Sequence, residues 1–271
     1  MKLKKVTILN IIKIFPFLLI CLIFFPIMTI PVLSEVYYPG EELTYEVSFI
    51  GIKLGAIRVI IQGQQNIGNK KVIKAKCWMN SYRGIPFVTL SAIFDSWMDP
   101  SLAFSHKFEG SNKRKDGSWD FEKIQFDYEN QQFKWEAWYN NKLDSTRMIK
   151  SYRRWNDGLA LFFFARQNVY AKRLLKVPTV MQLDTSFTYI NFSGKTENVE
   201  INAVDYPVRT VYFNGKADWK GVYGVTGSFE GWFSDDDARV PILAKMQLYL
   251  GNADIKLIKW SRGSWSPPRA N

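Results

Sequence analysis

The sequence predicts an all-β fold, mainly antiparallel, in the form of a curved sheet or a partly open barrel with one or two short helices. An N-terminal hydrophobic export segment precedes it. Three observations support this prediction: apolar and polar residues alternate along most of the chain, turn residues separate the alternating runs, and an uncharged apolar run lies near the N-terminus. Alternation with period two is typical of a strand that has one buried and one solvated face.

The alternating runs recur from Thr44 to the C-terminal region. The apolar positions are Tyr45, Val47 and Phe49; Ile124, Phe126 and Tyr128; Phe133, Trp135 and Ala137; and Ile242, Ala244, Met246, Leu248 and Leu250. The connectors are short and contain turn pairs, of which Asp116-Gly117 and Asn140-Asn141 are expected to adopt positive φ values. Gly51 and Gly55 predict a turn or a bulge. Together these signals favour a meander of roughly ten or more strands.

One segment, residues 157–166, has no period-two alternation and predicts a short helix with Asn156 or Asp157 as its N-cap. Its apolar residues are nearly continuous around the helix. We therefore expect it to be covered on most sides and to plug one end or one face of the sheet.

The first 34 residues are interpreted as a targeting segment. Lys2, Lys4, Lys5 and Lys13 precede a run from Ile14 to Leu33 that carries no charge. A cleaved signal peptide is the first interpretation and an uncleaved N-terminal anchor is the second. Both place the rest of the chain outside the cytoplasm, in the periplasm or at the periplasmic face of the outer membrane, with an inner-membrane tether in the second case.

The remainder is predicted to be a single β-rich domain, residues 35–263, followed by a flexible tail, residues 264–271. Removal of residues 1–34 takes away four lysines and no acid, so the formal charge falls from +11 to +7. Cys77 is then the only cysteine, which excludes an internal disulfide and a multi-cysteine metal site. We expect no cofactor and no metal.

The side chains that carry catalysis in common enzymes are scarce. His106 is the only histidine, and it shares a strand face with Phe104 and Phe108, so we expect a structural, partly buried role and assign no catalytic residue. Carboxylates are plentiful, however, and two acids about 5 to 10 Å apart in a cleft, one with a raised pKa, would form a hydrolase site.

Four residues are predicted as candidates for ligand binding: Arg166, Trp232, Asp235 and Arg239. Arg166 ends the predicted helix and, if buried, requires an acid; we expect Asp157 or the 235–237 turn to supply it. The alternative is an arginine that grips an anionic headgroup. Asp235 or Asp236 is expected to cap the turn and pair with Arg239.

Aromatic residues make up 16% of the chain. Trp138 and Trp232 fall on the polar side of their strands, which suggests an apolar surface for a ligand or contact with a membrane interface. The basic cluster 113–115 lies at a predicted hairpin tip, where a solvated turn is favoured; its functional alternative is attraction to anionic lipid. We expect no nucleic acid partner, because an exported protein meets little of it.

Residues 40–47 followed by 51–55, and residues 232–242, resemble the bacterial domain of unknown function family 3108. Residues 157–166 resemble that family's central helical segment, which ends in arginine. The resemblance covers most of the chain after residue 34. It implies an exported, envelope-located protein with a β-rich curved sheet and no assigned activity, and fold analogy extends this to lipoprotein carriers of the half-barrel type.

The leading functional hypothesis is a non-catalytic binding or carrier domain that shelters an apolar or lipid-like ligand. The second is an envelope assembly or scaffold protein that binds another protein through a sheet edge or an aromatic patch. The third is a carboxylate-based hydrolase of envelope glycan or lipid. Peripheral or N-terminally anchored membrane association is compatible with all three.

Overall fold

The structure, a computed structural model, describes residues 36–85, 89–182, 184–219, 227–247 and 251–270. These residues belong to one compact unit. The predicted export segment, residues 1–34, lies outside the described residues, as do Leu248 and Leu250. None of the described residues forms a helix with the length and hydrophobicity needed to span a bilayer.

The strands form one open antiparallel sheet made of two meanders. The first meander contains β1 (Glu42–Phe49), β2 (Ile52–Ile67), β3 (Lys70–Ser81), β4 (Ser91–Met98), β5 (Ser105–Lys113), β6 (Trp119–Asp127), β7 (Gln132–Tyr139) and β8 (Lys142–Lys150). The second contains β9 (Leu174–Met181), β10 (Asp184–Val199), β11 (Val208–Ala217), β12 (Gly227–Ser234), β13 (Pro241–Gln247) and β14 (Asn252–Ser261). β1 pairs with β14, so the meanders join in the middle of the sheet, with β8 and β9 at its edges. The predicted all-β fold is confirmed.

The predicted alternation sets which face of the sheet is buried. Ile124 and Phe126 in β6 are buried as expected, at 1% and 6% exposure. In β13 the expected alternation is wrong, because Ile242 and Leu243 are consecutive and both buried. The cause is a bulge, since the pairing of β12 with β13 shifts register opposite these residues.

The turns follow the predicted chemistry with one exception. Asn140 and Asn141 have φ values of +47° and +60°, as a tight hairpin requires. Of the pair Asp116-Gly117, only Gly117 has a positive φ. At Gly55 the β1–β2 register shifts nearby, and an added Cβ would lie 2.3 Å from a carbonyl oxygen of β3, so only glycine permits this approach.

Helix α1 (Gly158–Asn168) confirms the predicted helix, and Asp157 is its N-cap. One carboxylate oxygen of Asp157 accepts hydrogen bonds from the backbone amides of Leu159 and Ala160, at 2.8 and 2.9 Å. These contacts satisfy amides that the first turn of a helix leaves without partners.

The other oxygen of Asp157 connects the helix to the first meander. It accepts hydrogen bonds from the hydroxyl groups of Ser96 in β4 and Ser105 in β5, at 2.6 and 2.7 Å. Asp157 is completely buried, and this burial raises its pKa, although the hydrogen bonds to the carboxylate oppose the increase. Next to it, Asn156 bridges to Thr179 of β9, so the start of α1 contacts both meanders.

The core lies between α1 and the concave side of the sheet. Phe163 packs in one cluster with apolar residues of β2 and β3. Ala165 packs in another with Ile190 and Phe213 of the second meander. Phe162 meets Tyr45 of β1 edge to face, with ring centroids 6.3 Å apart. Because residues of both meanders contact one helix, α1 plugs the concave face, as the sequence suggested.

The sequence predicts a flexible tail at residues 264–271, but within the described part of this segment residues 268–270 pair with residues 207–209 at the start of β11. The amide of Arg209 donates to the carbonyl of Pro268, and the amide of Ala270 donates to that of Pro207, both at 2.8 Å. Trp265 packs against a buried cluster and donates its indole N–H to Asp236 at 2.8 Å. The proline pair limits this segment to extended geometry that suits such pairing.

We expect Asp157→Ala to destabilise the fold by about 3 kcal/mol or more, because the helix loses its cap and two buried serine hydroxyl groups lose their acceptor. Urea unfolding followed by circular dichroism measures the effect. Glu129→Ala, which removes an exposed ion pair with Lys70, is the control and should change stability by less than about 0.5 kcal/mol. Equal midpoints for the two variants would contradict the assigned role of Asp157.

Candidate functional site

Arg166, predicted to be a ligand-binding residue, is completely buried at the C-terminal end of α1. The expected pairing with Asp157 or the 235–237 turn is wrong, because the acid that contacts its guanidinium is Glu41, immediately before β1. Nη1 and Nη2 donate to the two carboxylate oxygens of Glu41 at 2.6 and 3.1 Å. Nε and Nη2 also donate to the carbonyls of Arg239 and Ala238, at 3.1 and 2.9 Å.

Arg262, which follows β14, completes a buried ion cluster of Glu41, Arg166 and Arg262. Its Nη1 donates to Glu41 and to the carbonyl of Val36. Burial alone would raise the pKa of Glu41, but the charges and hydrogen bonds of the two arginines outweigh it and hold the pKa below its ordinary value. Because Arg166 is enclosed and uses its donors inside the protein, its role here is to connect α1 to the sheet.

Asp235 and Arg239 lie beside the same end of α1. Asp235 contacts Arg209 at 3.2 Å and accepts a hydrogen bond from the Tyr170 hydroxyl at 2.9 Å. Asp236 confirms the predicted turn cap, because its carboxylate accepts the amide of Arg239 at 3.1 Å. The Arg239 side chain donates to the carbonyl of Gln167 at 3.1 Å, on the helix. These residues therefore attach the β12–β13 loop to α1.

Trp232, on β12, lies away from this group. It is 6% exposed and packs in one cluster with Val199, Ile201 and Val208. Its indole N–H donates to the carboxylate of Glu197 at 2.7 Å. The open ligand surface that the sequence suggested for Trp232 is therefore covered by the protein's own loop and strand residues.

His106 has the surroundings of a structural residue. Its ring packs edge to face with Phe104 and Tyr128, with centroids 5.1 and 5.8 Å apart. Nε2 lies 3.7 Å from a carboxylate oxygen of Asp99. Among the described residues, no group of three or more His, Cys, Asp or Glu side chains is arranged to hold a metal ion.

The first meander carries an open groove of about 690 Å³, which we call the concave groove. It lies near the end of the strands that carries the β5–β6 and β7–β8 turns, whereas α1 begins beside Ser105 at the other end of β5. Its lining is mixed. The apolar and aromatic residues are Leu90, Phe121, Trp135, Ala137, Trp138 and Tyr139, and the polar and charged residues are Thr89, Asn112, Lys113, Arg114, Asp120, Glu122, Asp144 and Gln182. Aromatic rings beside groups that can hydrogen-bond are typical of ligand sites.

Glu122 is the most unusual residue of the concave groove. It shares a strand face with the core residue Ile124, and its carboxylate accepts the indole N–H of Trp135 at 3.3 Å. Gly110 pairs with Glu122 across β5 and β6, and an added Cβ there would lie 3.2 Å from the carboxylate. Burial raises the pKa of Glu122; the hydrogen bond from Trp135 opposes this increase and the charge of Asp157 adds to it.

Asp120 lies two residues before Glu122 on the same face of β6, so their Cα atoms are about 6.6 Å apart. The Nε of Arg114 donates to both carboxylate oxygens of Asp120 at 2.7 Å. Two acids in contrasting environments, one hydrogen-bonded to an arginine and one with a pKa raised by burial, are an arrangement capable of acid and base chemistry.

Sequence reasoning missed both Glu41 and Glu122. For Glu122 a signal existed, because an acid occupies a position in the same alternation as Ile124 and Phe126. Glu41 gave no signal, since its partner is 125 residues away in the sequence and only the tertiary fold brings them together. Of the four predicted residues, the structure brings together Arg166, Asp235 and Arg239 but not Trp232.

We expect Glu41→Gln to destabilise the protein by about 3 to 5 kcal/mol at pH 7, because it leaves the buried Arg166 charge without its partner. Since the pKa of Glu41 is lowered on folding, its contribution to stability is complete above the ordinary pKa of 4.5 and is lost as pH falls toward the pKa of the folded state. The difference in the free energy of unfolding between wild type and Glu41→Gln, measured by urea titration, should therefore become smaller below about pH 4.5.

Glu42→Gln is the matched control, because the neighbouring carboxylate pairs with Arg58 on the surface. That change should cost less than about 1 kcal/mol. If Glu41→Gln and Glu42→Gln had the same urea midpoint at pH 7, the buried ion cluster would not stabilise the fold as stated.

Comparison with known proteins supports the fold alone. No family model and no curated protein matches the chain, so the resemblance to family 3108 stays a prediction. The structure is similar to that of a β-barrel-like protein of domain of unknown function 1849 from Brucella abortus, with a TM-score of 0.54 and 11% sequence identity over 83% of this chain and 98% of that chain. The chain therefore has a β-barrel-like fold.

Proposed function

We propose that this protein is an exported, non-catalytic binding domain of the cell envelope that takes an apolar or lipid-like ligand in the concave groove. The observation that carries the proposal is the groove itself, about 690 Å³ of open space beside a core that α1 otherwise fills. The apolar run in residues 14–33 supports export.

The lining of the groove suits a ligand with an apolar body and a polar end. Trp135, Ala137 and Leu90 offer apolar contact, and burial of such surface contributes roughly 25 cal/mol per Å². Lys113 lies at the β5–β6 end and supplies positive charge for an anionic headgroup, whereas the charge of Arg114 is already paired with Asp120. Because α1 packs on the concave face, the ligand binds beside this helix and not in a continuous lumen.

We expect Ala137→Trp to abolish most ligand binding, because an indole at this position fills the groove. The measurement is a fluorescence titration of the full chain with dansyl-labelled undecanoic acid. Wild type should saturate, and Ala137→Trp should bind at least about tenfold more weakly, a loss of about 1.4 kcal/mol. Leu90→Trp fills the groove from the opposite wall and should act in the same way.

Ala103→Trp places the same side chain at an exposed turn outside the groove and should bind the probe as wild type does. Thermal melts verify that each variant is folded. No saturable binding by wild type, or equal affinity in wild type and both filled variants, would contradict a ligand in this groove.

A second candidate function, a carboxylate-based hydrolase of envelope glycan or lipid, is favoured by the Asp120 and Glu122 pair. In that case Glu122, with its raised pKa, is the general acid and Asp120 the nucleophile or base. Incubation of the full chain with peptidoglycan or phospholipid vesicles tests it. We expect Glu122→Gln to abolish any product, whereas an unchanged rate in Glu122→Gln would exclude this role.

A further inference from the structure

A second groove, of about 610 Å³, lies on the second meander and faces away from α1. Val211 and Phe213 of β11 pack in the cluster that includes helix residues. Successive strand residues point to opposite faces, so Tyr212 and Asn214 point outward. We call this site the outer groove; its main side chains are Tyr189, Asn191, Tyr212, Asn214, Glu230 and Lys245.

A straight row of polar side chains forms the floor of the outer groove. Asn191, Asn214, Glu230 and Lys245 are direct cross-strand partners on β10, β11, β12 and β13. Neighbouring strands lie about 4.8 Å apart, so the row extends for about 14 Å. Its spacing resembles that of successive sugar units in an oligosaccharide.

Aromatic rings border the row on both sides. Tyr189 precedes Asn191 by two residues on β10, and Tyr212 precedes Asn214 by two on β11, so each ring shares the outer face with the row. The antiparallel direction of these strands places the rings on opposite sides of the row. Tyr212 also donates its hydroxyl to Glu230 at 3.2 Å, which fixes the carboxylate at the centre of the row.

The charges of the row largely cancel. Lys245 lies 3.8 Å from the carboxylate of Glu230, and Lys216, which also lines the groove, lies 3.6 Å from that of Asp218, so each of these cations has an acid beside it. The amide of Asn191 hydrogen-bonds to no described side chain and carries two donors and an acceptor. Amides, a fixed carboxylate and two tyrosine faces suit a neutral polyhydroxylated ring, whose hydroxyl groups bind the polar row and whose C–H faces stack on tyrosine.

We propose that the outer groove binds an uncharged oligosaccharide along the Asn191, Asn214, Glu230 and Lys245 row. This site is separate from the concave groove, so the inference does not depend on the proposed function. An acyl chain fits less well, because it would bury the side-chain amide of Asn191 without hydrogen bonds.

The test is isothermal titration calorimetry of the full chain with three probes: N-acetylglucosamine trisaccharide, maltotriose and mannotriose. We expect at least one trisaccharide to bind with a saturable isotherm. Asn214→Ala and Asn191→Ala should each weaken binding of that probe about fivefold to tenfold, because each removes hydrogen bonds to the sugar. Neither variant should affect the binding of dansyl-labelled undecanoic acid.

Gln125→Ala is the matched control, because it truncates an exposed side-chain amide on β6 in the other meander. It should bind the trisaccharide as wild type does. The proposal is overturned if none of the three trisaccharides gives a saturable isotherm, if both asparagine variants bind with wild-type affinity, or if Gln125→Ala loses as much affinity as they do.

Discussion

The contact between Glu41 and Arg166 is the interaction on which the rest of the architecture depends. Glu41 precedes β1 and Arg262 follows β14, so the carboxylate lies where the two meanders join. Arg166 brings α1 to that junction and also bonds to the carbonyls of Ala238 and Arg239. A charge buried here would be very costly if unpaired, so the sheet junction, the helix and the β12–β13 loop must assemble together.

The opposite end of α1 is attached by different chemistry. Asp157 joins the helix to β4 and β5 through Ser96 and Ser105, and Asn156 bridges to β9. With both ends attached and apolar side chains between them, the helix packs on the concave face and leaves open surfaces elsewhere on the sheet. The concave groove and the outer groove are two such surfaces, one on each meander, with different linings.

The sequence predicted the strands, the helix and its cap, because each depends on local periodicity or on residues within one turn. It did not predict the partner of Arg166, because Glu41 is 125 residues away in the sequence and only the tertiary fold brings the two together. It predicted an open surface at Trp232, but could not show that Val199 and Val208 pack against this side chain. The β13 alternation failed because a bulge changes which residues face inward.

Native-state hydrogen exchange on α1 tests the central claim most directly. If the buried ion cluster and the Asp157 contacts hold the helix inside the sheet, the amides of residues 161–166 should exchange only through global unfolding, as slowly as the slowest amides of β1 and β14. Exchange of these helix amides with a markedly lower opening free energy than that of β1 would show that α1 leaves the concave face on its own, and would contradict this account.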